Sequence, residues 1–202
     1  MIANHVHDAL GQVRRLRELI LDKRRFRGYS GPARMISGSV ALAGAFVISC
    51  LAKPDSGPRF HLAGWAAVLM AALGMNYGAL LLWFWRDPEA RRDPKNLRPA
   101  FEALPPLAVG AFLSLAAVLH GHFDLLFGIW MCVYGLVHIP YRHTLPVANY
   151  FVGIFYVLAG AVCLFWPGLT FANPWPMGIV FFTGEWWGGY ILYRMKIEEP
   201  AG

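Results

Sequence analysis

Apolar residues run along the chain in six stretches, at about 34 to 52, 61 to 85, 100 to 119, 125 to 141, 147 to 166 and 177 to 193. Each approaches or reaches the roughly 17 to 25 residues a helix needs to cross the hydrocarbon of a bilayer. The segments between them, KPDSGPRF, RDPEARRDPKNLRP, HGHFD, RHTLP and PGLTFANPWP, are rich in the residues that punctuate chains. The pattern predicts an all-α polytopic membrane protein, a bundle of six transmembrane helices with short connections.

Ahead of the first stretch, HVHDALGQVRRLRELILDKRRFRGYSG carries a different pattern. Val6, Leu10, Val13, Leu16 and Ile20 recur at helical spacing along one face. Arg14, Arg15, Arg17, Lys23, Arg24, Arg25 and Arg27 occupy the others. A helix of this kind lies in the headgroup layer of the cytoplasmic leaflet, as an interfacial anchor or as a docking surface for a cytoplasmic partner. The turn GYSGP then lets the chain enter the bilayer. The organisation expected is a basic arm over residues 1–32, a bundle over 33–194 and a short cytoplasmic tail over 195–202.

Composition agrees with the patterning. Of 202 residues, 57% are hydrophobic and 15% charged, against about 25% charged in an average soluble domain. Of the 18 Lys and Arg residues, all but Lys53 and Arg59 fall on one side if the N-terminus is cytoplasmic. That asymmetry predicts both termini inside a bacterial inner membrane. The net charge of +6 follows from topology and attraction to anionic headgroups, so nucleic acid is not an expected partner. VISC, ending at Cys50, resembles a lipobox, but the about 35 residues before its hydrophobic segment are too many for an ordinary signal peptide. Cys50, Cys132 and Cys163 fall within spans as small apolar fillers.

Local motifs recur from span to span. Gly38 precedes LAGA (42–45), Gly110 precedes LAAV (115–118) and Gly153 precedes LAGA (158–161). Tyr77-Gly78 leads to Trp85-Arg86, Tyr134-Gly135 to Tyr141-Arg142, and Gly188-Gly189 to Tyr193-Arg194. Three copies of a two-helix hairpin, all running the same way, account for this pattern, unlike the inverted repeats of many secondary transporters.

The last hairpin, VGIFYVLAGAVCLFWPGLTFANPWPMGIVFFTGEWWGGYILY, resembles the repeated unit of the HdeD-type acid-resistance membrane proteins. LRELILDKRRFRGYSGPARMISGSVALAGA and YGLVHIPYRHTLPVANYFVGIFYVLAGAVCLFWPG are similar to six-span bacterial membrane proteins, some encoded beside small winged-helix regulators. The resemblance implies a six-helix fold and supplies no catalytic residues.

Polar residues that could carry chemistry are few. On the outer side His61, His120, His122 and Asp124 would gather if their turns meet. The readings are interfacial capping, a proton-sensitive cluster or, least of all, a metal site, for which H-x-H-x-D is a loose spacing. On the inner side Glu102 would face the dipole of the third helix, and Pro105 and Pro106 would bend that helix near its cytoplasmic end. His138 lacks a second histidine at matched depth for haem, and no cofactor or metal is predicted. No recognisable hydrolase, phosphate-binding or zinc-protease motif is present, so no enzymatic activity is expected.

Glu185 stands out. It lies at the middle of the sixth stretch, where an acid costs roughly 2.5 to 3.5 kcal/mol on insertion scales. Its helical face carries Gly178, Phe181, Phe182, Gly188 and Gly189, so it must point into the bundle. Partners at comparable depth are Tyr134, Tyr156, Asn76 and Tyr77, with His138 one turn deeper. It reads either as a tie between helices or as a proton or substrate group. Three functions follow: a regulatory, stress-related or scaffold protein working through lipid or protein partners; a small proton-coupled transporter using Glu185; and an accessory subunit of a respiratory or photosynthetic complex.

Overall fold

The computed structural model describes residues 28–88, 101–139 and 147–198, the last three by backbone alone. The basic residues from Arg14 to Arg27, and with them the expected interfacial helix, lie outside the described residues.

The described chain is helical throughout: α1 (Gly31–Leu51), α2 (Pro58–Arg86), α3 (Leu104–Leu119), a 3-10 turn (Phe123–Leu125), α4 (Leu126–His138), α5 (Val147–Phe165) and α6 (Trp175–Glu198). Three of these, α1, α2 and α5, are long and apolar enough to cross a membrane. α3, and α4 together with its 3-10 turn, are apolar but shorter. α6 is long, and carries Glu185 and Arg194. Large apolar side chains such as Phe46, Met70, Phe112, Leu119 and Phe165 stand exposed around the outside, the arrangement of a bundle whose surroundings are lipid.

The helix ends follow from local chemistry. Ser30 caps α1 by accepting from the Ala33 N–H at 3.3 Å. Pro58 opens α2 where its missing N–H costs nothing. At the end of α3, Gly121 (φ 75°) adopts the left-handed conformation. His122 N–H then reaches Ala117 O at 2.8 Å and Gly121 N–H reaches Val118 O at 3.2 Å, the paired closure of a Schellman cap. The chain therefore reverses within HGHFD.

One expectation for α3 is corrected. The helix starts at Leu104, with Pro105 and Pro106 in its first turn, which requires no N–H donors. Glu102 consequently precedes α3 and already has a partner.

Packing is dominated by two antiparallel pairs, α1 with α6 and α4 with α5. Glycines set both. A Cβ on Gly31 would come within 2.5 Å of Gly189 O, and one on Gly38 within 2.8 Å of the Glu185 Cβ. In the second pair, a Cβ on Gly135 would come within 2.6 Å of Gly153 O, and one on Gly160 within 2.5 Å of Cys132 Sγ. Close approach of this kind supplies the dispersion contact that drives helix association in lipid. Both pairs join helices from different hairpins of the expected repeat. The contacts inside each hairpin, α1 with α2, α3 with α4 and α5 with α6, are less extensive.

Candidate functional site: a buried polar centre on four helices

The α1–α6 crossing places Arg34 opposite Glu185. Arg34 Nε donates to Glu185 Oε2 at 2.9 Å and Nη2 donates to Oε1 at 2.8 Å, a bidentate ion pair. The α4–α5 pair supplies the rest. Arg34 Nη1 donates to Asn149 Oδ1 at 3.0 Å, and the hydroxyls of Tyr134 and Tyr156 both donate to Glu185 Oε1, at 3.0 and 3.1 Å. Arg34 Nη2 also meets His138 Nε2 at 2.9 Å.

That last contact fixes a tautomer. A guanidinium only donates, so His138 Nε2 must accept and its proton must sit on Nδ1. Nδ1 lies 2.9 Å from Tyr134 O, one turn back along α4, and can donate there. His138 is therefore neutral, with both ring nitrogens engaged.

The centre is sealed from its surroundings. Glu185 is 3% exposed, Arg34 6%, His138 5% and Asn149 1%. Glycines make the room: a Cβ on Gly188 would come within 2.6 Å of the Arg34 guanidinium carbon, and one on Gly184 would collide with the Tyr156 ring. GEWWG thus does two things. It allows α1 to approach α6, and it clears space on either side of Glu185 for its cation and a phenol. Tyr134 and Tyr156 stack edge to face with centroids 4.9 Å apart, and Phe181 closes the layer at 5.1 and 5.0 Å from them.

Of the partners expected for Glu185, Tyr134 and Tyr156 contact it directly and His138 reaches it through Arg34. Asn76 and Tyr77 do not. Asn76 Nδ2 donates to Ser37 Oγ at 2.6 Å and to Ala72 O at 3.0 Å, tying α2 to α1, while Tyr77 is 38% exposed. α2 touches α1 but is not one of the helices that supply the centre, so neither residue can reach it.

The residue that sequence reasoning missed is Arg34, which was counted only among the cytoplasmic positive charges. A signal was available. Arg34 is the fourth residue of α1, where the helix dipole disfavours a cation, so an arginine there calls for a compensating acid. Asn149 completes the centre: its Oδ1 accepts from Arg34, while its Nδ2 is buried without a partner among the described residues.

The outer residues do not converge. His61 is 3% exposed and stacks edge-on with Phe60 and Phe171. Asp124 Oδ1 accepts from Phe171 N–H at 2.8 Å, fixing the α5–α6 connection against the α3–α4 turn. His120 and His122 are exposed. Among the described residues, no three His, Cys, Asp or Glu side chains are grouped as a metal site would require. The expected cluster is replaced by an aromatic plug: Phe171, 2% exposed, packs against Phe127 at 4.9 Å and Trp130 at 6.0 Å.

Comparison of the chain with family models, with curated proteins and with solved structures gives no match.

Proposed function

We propose that this chain is a six-span protein of the bacterial inner membrane, with both termini cytoplasmic and three parallel hairpins, related in its hairpin unit to the HdeD-type proteins. In this reading it is not an enzyme; it has a regulatory, stress-related or scaffold role, presenting a fixed helical surface and a basic arm to lipids and protein partners. The observation that carries the reading is the saturation of Glu185 by its own chain. Four hydrogen bonds from Arg34, Tyr134 and Tyr156 converge on its two oxygens. An acid held this way acts as a lock between helices.

The test is co-purification from native membranes in mild detergent, with the full chain and with residues 1–27 deleted. A partner retained by the first and lost from the second is the expected result. Identical partners with both chains would overturn docking through the arm. An absorbing or metal-containing cofactor in the purified protein would favour the reading as a subunit of a larger respiratory or photosynthetic complex.

A second reading, a proton-coupled carrier using Glu185, is favoured by one observation: the unpartnered Asn149 Nδ2 beside Arg34. Proteoliposome flux that disappears in Glu185→Gln would establish it. Absent or unchanged flux leaves the centre as a structural lock.

A further inference from the structure

An open groove of about 440 Å³ lies between the start of α1 and the end of α2, lined by Gly28, Ser30, Ala79, Leu82, Trp83, Arg86 and Asp87. We propose that it binds an anionic phospholipid of the cytoplasmic leaflet, with the phosphate on Arg86 and the start of an acyl chain on α2. This rests on the reading that the end of α2 meets the cytoplasmic membrane surface.

The chemistry is divided by depth. Ala79, Leu82 and Trp83 give the groove an apolar wall along the last two turns of α2, and Arg86 closes the helix at the boundary. Trp and Arg in that order are the side chains of a membrane interface. Arg86 is exposed, and no described residue pairs with its guanidinium. Asp87 and Trp83 each have an interaction of their own. Ser30 Oγ accepts from Ala33 N–H at 3.3 Å, which leaves its hydroxyl proton available to a phosphate oxygen. A guanidinium and a hydroxyl donor beside an apolar wall match a phosphodiester with a hydrocarbon tail.

The test is native mass spectrometry of the full chain in detergent, titrated with phosphatidylglycerol or phosphatidylcholine. The wild type should hold phosphatidylglycerol at least tenfold more tightly than phosphatidylcholine. Arg86→Gln should remove that preference, Ala79→Trp should block binding by filling the groove, and Arg59→Gln, at the other end of α2, should change nothing. Inorganic phosphate at equal concentration should not displace the lipid. Wild-type binding in both Arg86→Gln and Ala79→Trp would overturn the site, as would displacement by phosphate or loss of binding on deletion of residues 1–27 alone. A topology reporter at residue 90 separates the two levels. A periplasmic signal overturns the topology, whereas a cytoplasmic signal with unaltered binding in the variants overturns only the lipid site.

Discussion

Arg34 and Glu185, 151 residues apart in sequence, meet side-on through two hydrogen bonds of 2.9 and 2.8 Å, with both side chains almost wholly buried. A buried pair of this kind gains little over a well-packed apolar pair, because desolvation offsets most of the attraction. Its contribution is to register. Glu185 can satisfy its oxygens only when α1, α4, α5 and α6 are all in place, so the pair selects one packing of four helices.

Breaking the pair from one side should therefore cost far more than removing it entirely. Arg34→Met leaves an unpaired buried carboxylate, and Glu185→Leu leaves an unpaired buried guanidinium, each destabilising by about 3 to 5 kcal/mol. The double variant should recover most of that loss. Thermal unfolding of the detergent-solubilised protein, followed by tryptophan fluorescence, gives the three values as a double-mutant cycle. Additive losses would show that the two residues do not act as a unit.

Glycine positions should divide sharply. Gly188→Ala would put a methyl group 2.6 Å from the Arg34 guanidinium carbon, and Gly184→Ala would drive one into the Tyr156 ring. Those groups are pinned by hydrogen bonds and cannot swing aside, so losses of about 1 to 3 kcal/mol, in the range of core overpacking, are expected. A Cβ at Gly74 or Gly78 of α2 meets nothing within 4 Å. Alanine there should be neutral or stabilising by up to about 1 kcal/mol through helix propensity. Melting temperatures of the four variants check the ordering; a loss at Gly74 or Gly78 equal to that at Gly188 would mean that α2 packs on something further.

The same contrast shows what the sequence could reveal. Six apolar stretches correspond in position to α1 to α6, and the glycines on the Glu185 face of the sixth stretch mark a close helix contact. A glycine reports that a backbone comes near without reporting which one. Gly38 packs on α6 and Gly153 on α4, neither of them its neighbour within a hairpin. The site was half legible for a related reason. Glu185 is conspicuous in apolar surroundings, whereas Arg34 is hidden behind the run of basic residues that precedes it. Phe171 gave no signal, since an aromatic in a Pro- and Asn-rich connection looks like any interfacial ring.

The two intramembrane asparagines should differ in consequence. Asn76 links α2 to α1 through Ser37 Oγ, an interhelical bond of the kind that averages about 0.6 kcal/mol in a membrane bundle. Asn149 instead accepts from a buried guanidinium, and hydrogen bonds to charged groups contribute about 1.5 to 3 kcal/mol. Asn149→Leu should lower the unfolding temperature more than Asn76→Leu. Equal effects would argue that Arg34 does not depend on the amide.

His138 supplies a prediction that needs no change in stability. Its Nε2 faces the Arg34 guanidinium at 2.9 Å, and its Nδ1 faces Tyr134 O at 2.9 Å. Only the neutral ring with its proton on Nδ1 satisfies both neighbours; a proton on Nε2 would point at a donor and leave the Tyr134 carbonyl without this hydrogen bond. Solid-state ¹⁵N spectra of histidine-labelled protein in bilayers should therefore contain a signal with Nδ1 protonated and Nε2 bare, absent from His138→Asn. Arg34→Met should free Nε2 of its donor, moving that resonance while leaving Nδ1 on the carbonyl. A charged imidazolium or an Nε2-protonated ring at His138 in the wild type would contradict the hydrogen-bond order on which the centre is built.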